Sequence, residues 1–440
     1  MAQSSAAAQA VGPDVYPLER RRFVVLGLWW LGSVLFWISW FIQAPILVSF
    51  WGVRQHVGFG TAEYLMSAVN LAGIATALLA GHVFDRLGPR RATLLCFGIV
   101  TVGFGLRPLA VNSFPLMLTL TVIAGLGGVP SMVAAPAVVA QWFGRHRMTF
   151  ALSVSIASFA TGQAVGLLAG APMVDSLGPA WTFGTFSLAL VAACVAWLLF
   201  VPEKPARPAG PPTVDRTPLL AGLREVSRAR GSWLIFAIAM VLGGISVFSL
   251  SLFPGLLGAT FGLDPALAGD GSTAMPVLAI AGLFLLGFAT RRTRDVRRPG
   301  LWTSGVLLAC WLAFTLAWWG HSAPLGAALL LIGVLGFFFQ PCFSFAVDAL
   351  EHAPGVRPAT SGTAAGFYFT GVGIGGYVLP TVLAHFVQVY GNGAGVAGLL
   401  VLMAVLAALW LAVRALPRGA AVEVMAEDGA SPAARPTGAA

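Results

Sequence analysis

Residues 62–111 read AEYLMSAVNLAGIATALLAGHVFDRLGPRRATLLCFGIVTVGFGLRPLAV. Two apolar runs, 62–83 and 92–111, each have about the 20 residues that carry a helix across a hydrocarbon core. Between them stands a charged break, Asp85-Arg86-Leu87-Gly88-Pro89-Arg90-Arg91. The same alternation of oily run and short break continues in both directions. Over all 440 residues the chain is 58% hydrophobic and only 9% charged, against about 25% charge in a soluble domain. So few charges cannot clothe a water-facing surface, and the solvent of this chain is lipid. The 14 Trp and 30 Phe suit lipid contact and interfacial belts. The 53 Gly and 28 Pro are tolerated where small residues let helices approach and freed backbone groups find other partners.

Counting outward from the opening stretch gives twelve spans: 23–46, 62–83, 92–111, 115–140, 149–172, 181–201, 233–257, 272–290, 300–319, 325–347, 360–386 and 395–414. The breaks at Arg145-His146-Arg147, Arg291 to Pro299 and Pro354-Gly355 carry charge or turn chemistry. No cleavable signal is evident before the first span, which is long enough to cross by itself. With the N-terminus inside, 23 of the 25 Lys and Arg residues fall on the inner side, and only Arg54 and Arg107 are left over. That asymmetry is the positive-inside rule, so the net charge of +9 is a topology signal and does not point to nucleic acid. The expected location is a bacterial cytoplasmic membrane, crossed many times, with both termini cytoplasmic. Cys96, Cys194, Cys310 and Cys342 all lie in apolar runs without metal-ligand spacing, and read as small packing residues.

The Pro-rich, charged stretch 202–231 separates six spans from six and reads as a central cytoplasmic loop. The expected divisions are a cytoplasmic N-terminal segment (1–22), a six-helix bundle (23–201), the loop, a second six-helix bundle (232–414), and a polar, disordered cytoplasmic tail (415–440). The halves resemble one another. Thr161-Gly162 followed by Gly166 in span 5 repeats as Thr370-Gly371 followed by Gly375 in span 11, at an offset that aligns Phe159 with Tyr368. Duplicated bundles of this kind bind substrate near the midplane, between halves that rock about it.

The break after span 2, from Gly81 through Asp85, Arg86, Gly88 and Pro89 to Arg90 and Arg91, resembles the loop 2–3 signature of the major facilitator superfamily. Pro89 stands where a basic residue is usual, and the equivalent loop of the second half, Arg291 to Arg298, has lost its glycines. The resemblance covers 22–414 and implies an all-α membrane protein. Its fold would be twelve transmembrane helices in two pseudo-symmetric six-helix bundles, working by alternating access. It also implies that Asp85 and Arg86 lock one side of the first half. Asp85 would interact with the positive N-terminal dipole of span 11 and a nearby arginine, Arg145 or Arg147. Gln141 to Arg147, with Trp40 and Ala44-Pro45 in span 1, resemble the branch containing cyanate, nitrate and organic-anion porters. Two features of proton/drug antiporters are missing. Thr121 stands where their span 4 arginine would be, and span 5 has Leu167 after Gly166 in place of Pro.

A solute leaving water must be re-solvated by polar groups at mid-depth. Asn70, Gln163, Gln340, Tyr368, Tyr377, Ser246 and Ser249 are candidates, with Trp37 and Trp40 as aromatic walls. Each polar residue serves either the cavity or an inter-helix hydrogen bond. Arg107 is the one basic residue within a span and suits an anion. Its position in the outer third of span 3 favours a side chain reaching outward to the headgroups. Gly162, Gly166 and Gly170 with Ser158 make a smooth face, for static packing or for sliding. Gly371, Gly373, Gly375 and Gly376 with Pro380 are expected to make span 11 bendable. Glu63 sits at the outer end of span 2, and no acid or histidine is placed at mid-depth, which disfavours a proton relay.

The expected function is secondary active or facilitative transport of a small solute, an organic or inorganic anion being favoured. The second reading is proton-coupled export of drug-like or lipophilic metabolites. A membrane enzyme would need carboxylate or histidine clusters, and ATP-driven transport would need a phosphate-binding loop. Neither pattern occurs, and Lys204 is the only lysine. The expectation is a monomer with no cofactor, no metal, no nucleotide and no nucleic-acid partner, in contact with lipid and a small-molecule solute.

Overall fold

The computed structural model describes residues 21–133, 135, 138, 142–143, 145–202, 218–290, 296–320, 324–351, 353, 356 and 360–416, and among them there is no strand. Side chains are left undescribed at 21, 81, 82, 85, 145–150, 152, 153 and 361. Among the described residues twelve helices are long and apolar enough to cross a membrane: Arg22–Arg54, Phe59–Ala80, Arg86–Ala110, Phe114–Val133, Val154–Leu177, Pro179–Phe200, Ser232–Phe261, Pro265–Thr290, Arg297–Trp319, Leu325–Glu351, Gly362–Tyr390 and Asn392–Ala415. Each overlaps one span read from the sequence. The chain is therefore a multi-pass membrane protein.

Spans 2 and 3 form one helical run from Tyr64 to Gly105, broken at Gly88, whose φ of 75° is a conformation that side chains other than glycine resist. Pro89 opens the next helical stretch, where its fixed φ and missing N–H cost nothing. That accounts for a proline where the sequence signature has a basic residue. Span 1 runs further than read. After Phe41 a one-turn 3-10 segment with Pro45 at its start leads into a π-helical stretch, Leu47–Arg54. The central stretch, read as loop, holds an amphipathic helix, Leu219–Arg228. Its Gly222 faces the side chain of Thr363, and Thr360 Oγ1 donates to Glu225 Oε1 at 3.1 Å.

The apolar residues point both ways. Trp51, Trp197, Trp311 and Trp410 are fully buried, while Leu188, Leu199, Phe288 and Leu330 are largely exposed on the outer girth. An exposed apolar girth of this extent fits a lipid solvent and no aqueous one. Between helices, contact is made by backbone on backbone. A methyl on Gly375 of span 11 would stand 1.8 Å from the Met240 carbonyl oxygen of span 7, and one on Gly243 of span 7 would stand 2.2 Å from Val372 O. Spans 8 and 10 repeat the device, with Gly336 against Met275 and Gly282 against Phe337. Small residues permit this approach where lipid gives no hydrophobic drive between helices.

Span 1 packs on spans 5 and 6, span 4 on spans 2 and 3, span 7 on spans 11 and 12, and span 10 on spans 8 and 9. The two most extensive contacts between the first six spans and the last six are span 2 along span 11 and span 5 along span 8, with smaller ones such as span 2 on span 7 beside them. Under the six-span offset the first two are one contact made twice, as a duplicated bundle requires. We call the end bearing Arg86 to Arg91 the basic end, and the end bearing Arg54 and Glu63 the far end.

Gly375→Ala forces a methyl into the span 7 backbone and is expected to cost about 1–3 kcal/mol. The readout is a lowered midpoint of thermal aggregation in detergent. Gly287→Ala, whose methyl meets nothing within 4 Å, should leave that midpoint unchanged.

Candidate functional site

Span 1 places a line of aromatics along its buried face. Trp37 and Trp40 stack at 5.1 Å, and the Phe159 ring of span 5 meets Trp37 edge-on at 4.1 Å. Trp40 Nε1 donates to the Met66 carbonyl of span 2 at 2.8 Å, which fixes the indole. One turn further, Asn70 Nδ2 donates to the Gly376 carbonyl of span 11 at 3.2 Å. The candidates Trp37, Trp40 and Asn70 are thereby joined into one belt that crosses from the first half to the second. In this state the Asn70 amide serves an inter-helix bond.

Gln163 is buried on span 5, and its Nε2 has no hydrogen-bond partner among the described residues. A buried amide donor left open is costly unless something completes it. Gln340 and Ser246 are also buried. Ser249 returns its hydroxyl to the Ile245 carbonyl at 2.6 Å. Tyr368 is fully buried, with its hydroxyl 3.4 Å from Phe343 O of span 10. Tyr377 is half-buried on span 11. The structure thus gives Tyr368 and Ser249 protein partners, and leaves a free donor at Gln163.

The glycine face of span 5 meets span 1. Methyls on Gly162, Gly166 and Gly170 would stand 2.3 Å from Trp37 Cβ, 2.9 Å from Ile42 N and 2.5 Å from Ile42 O. Ser158 joins the same seam through a 2.7 Å bond to Ser33 Oγ. Both spans belong to the first half, so the face closes a helix pair within one bundle. Gly371 packs against Phe236 of span 7, and Gly373 packs against Asn70 and Ile74 of span 2.

At the basic end, Arg90 Nη2 donates to the Leu198 carbonyl at 2.9 Å, and Trp197 Nε1 donates to the Arg90 carbonyl at 3.2 Å. These bonds fasten the Gly88 turn to the end of span 6. Arg86 and Arg91 are exposed. Gly81 and Asp85 lie in the last helical turns before Gly88. The side chains of Asp85, Arg145 and Arg147, on which the expected lock turns, lie outside the described residues.

Arg107 corrects the sequence reading. Its side chain does not reach out to headgroups but is 1% exposed. Span 3 ends at Gly105, and a 3-10 turn, Arg107–Ala110, swings the side chain back into the bundle. There Arg107 Nη1 donates to the Ser39 carbonyl of span 1, Nη2 donates to Thr121 Oγ1 of span 4 at 2.7 Å, and the guanidinium lies 3.9 Å over Phe104. Planar, delocalised charge tolerates such a site better than an ammonium would. No carboxylate pairs with it among the described residues. The guanidinium from span 3 reaches Thr121, the position where the sequence comparison expected an arginine on span 4.

Glu63 escaped the sequence reading. Although it stands at the outer end of span 2, it is fully buried; Ser251 Oγ of span 7 donates to its Oε1 at 3.0 Å, and Oε2 has no hydrogen-bond partner among the described residues. No local signal marks it, because spans 7 and 11 do the burying. Further bonds close this end between the halves. Gly60 N donates to Gln388 Oε1 at 2.8 Å, and Ser67 and Thr381 share a 3.3 Å contact. Among the described residues no group of three His, Cys, Asp or Glu could hold a metal ion.

Comparison with known proteins agrees with this arrangement. The family model of the Major Facilitator Superfamily matches residues 29–380, and the chain belongs to that family. It is 28% identical over 210 residues to an uncharacterised MFS-type transporter of Mycobacterium tuberculosis, Rv1250; the match takes in 46% of this chain and 35% of the relative. The chain thus spans about a third of the length of that relative. Its fold is similar to a mutant of the nucleoside transporter NupG (TM-score 0.67, 15% identity, 89% of this chain and 99% of that one). It is similar also to an autoinhibited POT-family peptide transporter (0.67, 16%, 90% and 98%). A third is a bacterial homologue of the human lysosomal transporter Spinster, inward-facing and unoccupied (0.64, 14%, 90% and 96%).

Replacing a buried, unpaired charge by an apolar side chain of similar length is often neutral or stabilising, whereas truncation leaves a cavity. Arg107→Met is therefore expected to hold or raise the thermal midpoint, and Arg107→Ala to lower stability by about 2–5 kcal/mol. Thermal aggregation of both variants checks the order.

Proposed function

We propose that the chain is a secondary active or facilitative transporter of a small solute with hydrogen-bond acceptors, a small organic or inorganic anion above all. It works by alternating access between its two six-helix halves. The observation that carries this reading is the belt across the interface: stacked Trp37 and Trp40 packed on Phe159 of span 5, with Gln163 one turn further along that span and its amide donor open among the described residues. An aromatic wall supplies apolar contact, and an open N–H supplies the bond that a carboxylate or other acceptor lost on leaving water. Arg107, buried behind this belt without a carboxylate partner among the described residues, adds positive potential to the first half. In low dielectric such a charge acts at range, and it favours an anion over a cation.

The asymmetry of Lys and Arg supports both termini being cytoplasmic, with the basic end inside and the far end outside. On that orientation, the Gly60–Gln388 and Ser67–Thr381 contacts hold the outer side shut. The Asp85–Arg86 turn would act as the lock on the opposite side. A bacterial cytoplasmic membrane and a monomeric state complete the reading. The resemblance of span 1 and of residues 141–147 to anion porters supports the same substrate class. The alternative, proton-coupled efflux of lipophilic compounds, is favoured by one feature, the predominance of apolar and aromatic lining over polar groups.

Uptake into proteoliposomes separates the two. Labelled short-chain carboxylates are expected to enter faster than into protein-free vesicles, and lipophilic dyes are not; the reverse result overturns the anion reading. In the same assay Gln163→Ala is expected to raise KM about tenfold, the loss of one hydrogen bond to a charged group, with expression unchanged. Asp85→Asn should abolish most uptake while the protein stays membrane-inserted. Wild-type rates in that variant would remove the lock.

A further inference from the structure

Two buried ionisable groups stand out in the described interior, Arg107 and Glu63. Arg107 lies wholly within the first half, against spans 1 and 4. Glu63 lies where the halves meet, at the end where they are closed. It caps the short turn Phe59–Ala62 on span 2, and its one side-chain partner among the described residues, Ser251, belongs to span 7 of the other half.

The charged and titratable groups around Glu63 are few. Span 7, from Ser232 to Phe261, contains no acid, base or histidine. Span 11 brings His385, which is exposed beside Gly60. The end of span 1 and the loop after it bring Arg54 and His56, and span 2 itself brings Tyr64. Arg54 is exposed and faces Asp175 of span 5 at 3.9 Å. None of these forms an ion pair with Glu63 among the described residues. A carboxylate held at 0% exposure with one hydroxyl for company carries an uncompensated charge.

The hydrogen-bond count accommodates a protonated acid. Ser251 Oγ lies 2.8 Å from the Val247 carbonyl oxygen and 3.0 Å from Glu63 Oε1. A hydroxyl has one proton to give. When that proton serves Val247, the contact to Glu63 is attractive only if the glutamic acid is the donor, and an ionised carboxylate cannot donate. A metal cation would instead require a cage of oxygens. Here the Ser67 hydroxyl serves the Glu63 carbonyl at 3.2 Å, and Thr381 serves the Tyr377 carbonyl at 2.7 Å.

We propose that Glu63 is a proton-binding site built across the two halves. It holds a proton while the far end is shut and gives it to entering water when spans 7 and 11 withdraw. This rests on the alternating-access reading and supplies it with a coupling ion. Closing the far end then takes up one proton, and opening it releases one. Proton binding and access at that end are the same event seen from two sides.

The test uses full-length protein in lipid nanodiscs, where both ends meet the same buffer. Ser67 is fully buried one turn from Glu63, so Ser67→Cys reports opening of the far end to a hydrophilic maleimide. The parent with its four native cysteines supplies the background. A double variant adding Glu63→Gln removes the titratable group, and free cysteine labelled by the same maleimide supplies the intrinsic pH dependence of a thiol. The expected result is that labelling of S67C, corrected for that intrinsic dependence, rises about tenfold per pH unit below its midpoint, as one linked proton demands. The double variant should stay shut throughout. Adding His385→Gln to S67C should leave this slope in place.

Parallel slopes in S67C and the double variant overturn the proton site and leave alternating access standing. Labelling that follows sodium at fixed pH overturns it in favour of a metal cation. Labelling at no pH overturns both the site and the access reading on which it depends. Should Glu63→Gln fail to fold, Ser251→Ala in the S67C background decides. It removes the partner of the protonated acid, so the opening midpoint should move to lower pH, and an unmoved midpoint rejects the proposal.

Discussion

In a lipid solvent no water waits to accept a hydrogen bond, so each backbone amide must be satisfied inside its own helix. Everything else in this protein follows from that constraint. Once helices are obligatory and their lipid-facing sides are already content, association depends on how closely backbones approach. The seam between Gly243 and Gly375 on spans 7 and 11, and that between Gly282 and Gly336 on spans 8 and 10, are the outcome. At these crossings one helix lies directly against the carbonyls of the next. Span 5 lies equally close to span 1 through Gly162, Gly166 and Gly170.

Tight seams within the halves make the looser contacts between them consequential. Along span 2, the bonds to span 11 run from Gly60 at the far end to Asn70 at mid-depth. These are single hydrogen bonds between otherwise apolar surfaces. Each can be exchanged for water when the halves part, at little net cost. A rocking bundle needs rigid halves joined by replaceable contacts. The closest glycine seams lie inside the halves, with Ser67, Asn70 and Gln388 between them, and that meets the need.

The two buried charges are handled differently. Arg107 keeps its cation by lying over Phe104 and donating to Ser39 O and Thr121 Oγ1, all on the first half. Those partners travel with it whatever the other half does, so its surroundings stay constant through a rocking motion. Glu63 draws its one side-chain partner among the described residues from the opposite half. Any motion that separates the halves changes its solvation at once. A fixed charge suits an electrostatic background, and a charge whose shell is shared between moving parts suits a switch.

The sequence by itself determined the number of spans, the grouping into two sixes and the loop 2–3 turn. Each depends on residues adjacent in the chain: about 20 apolar residues make a span, and Gly88-Pro89 makes its own turn. It also marked Trp37, Trp40, Asn70 and Gln163 as groups of interest, because polar or aromatic residues stand out in an apolar run. It could not say which of them are already bonded. That Asn70 is tied to Gly376 while Gln163 keeps an open donor is a fact about neighbouring helices. The same limit explains Arg107 and Glu63. Position along a span gives depth in the membrane, but burial at that depth depends on which helices close over the residue. The 3-10 turn after span 3 and the meeting of spans 2, 7 and 11 decided both cases, through contacts between residues as much as 328 positions apart.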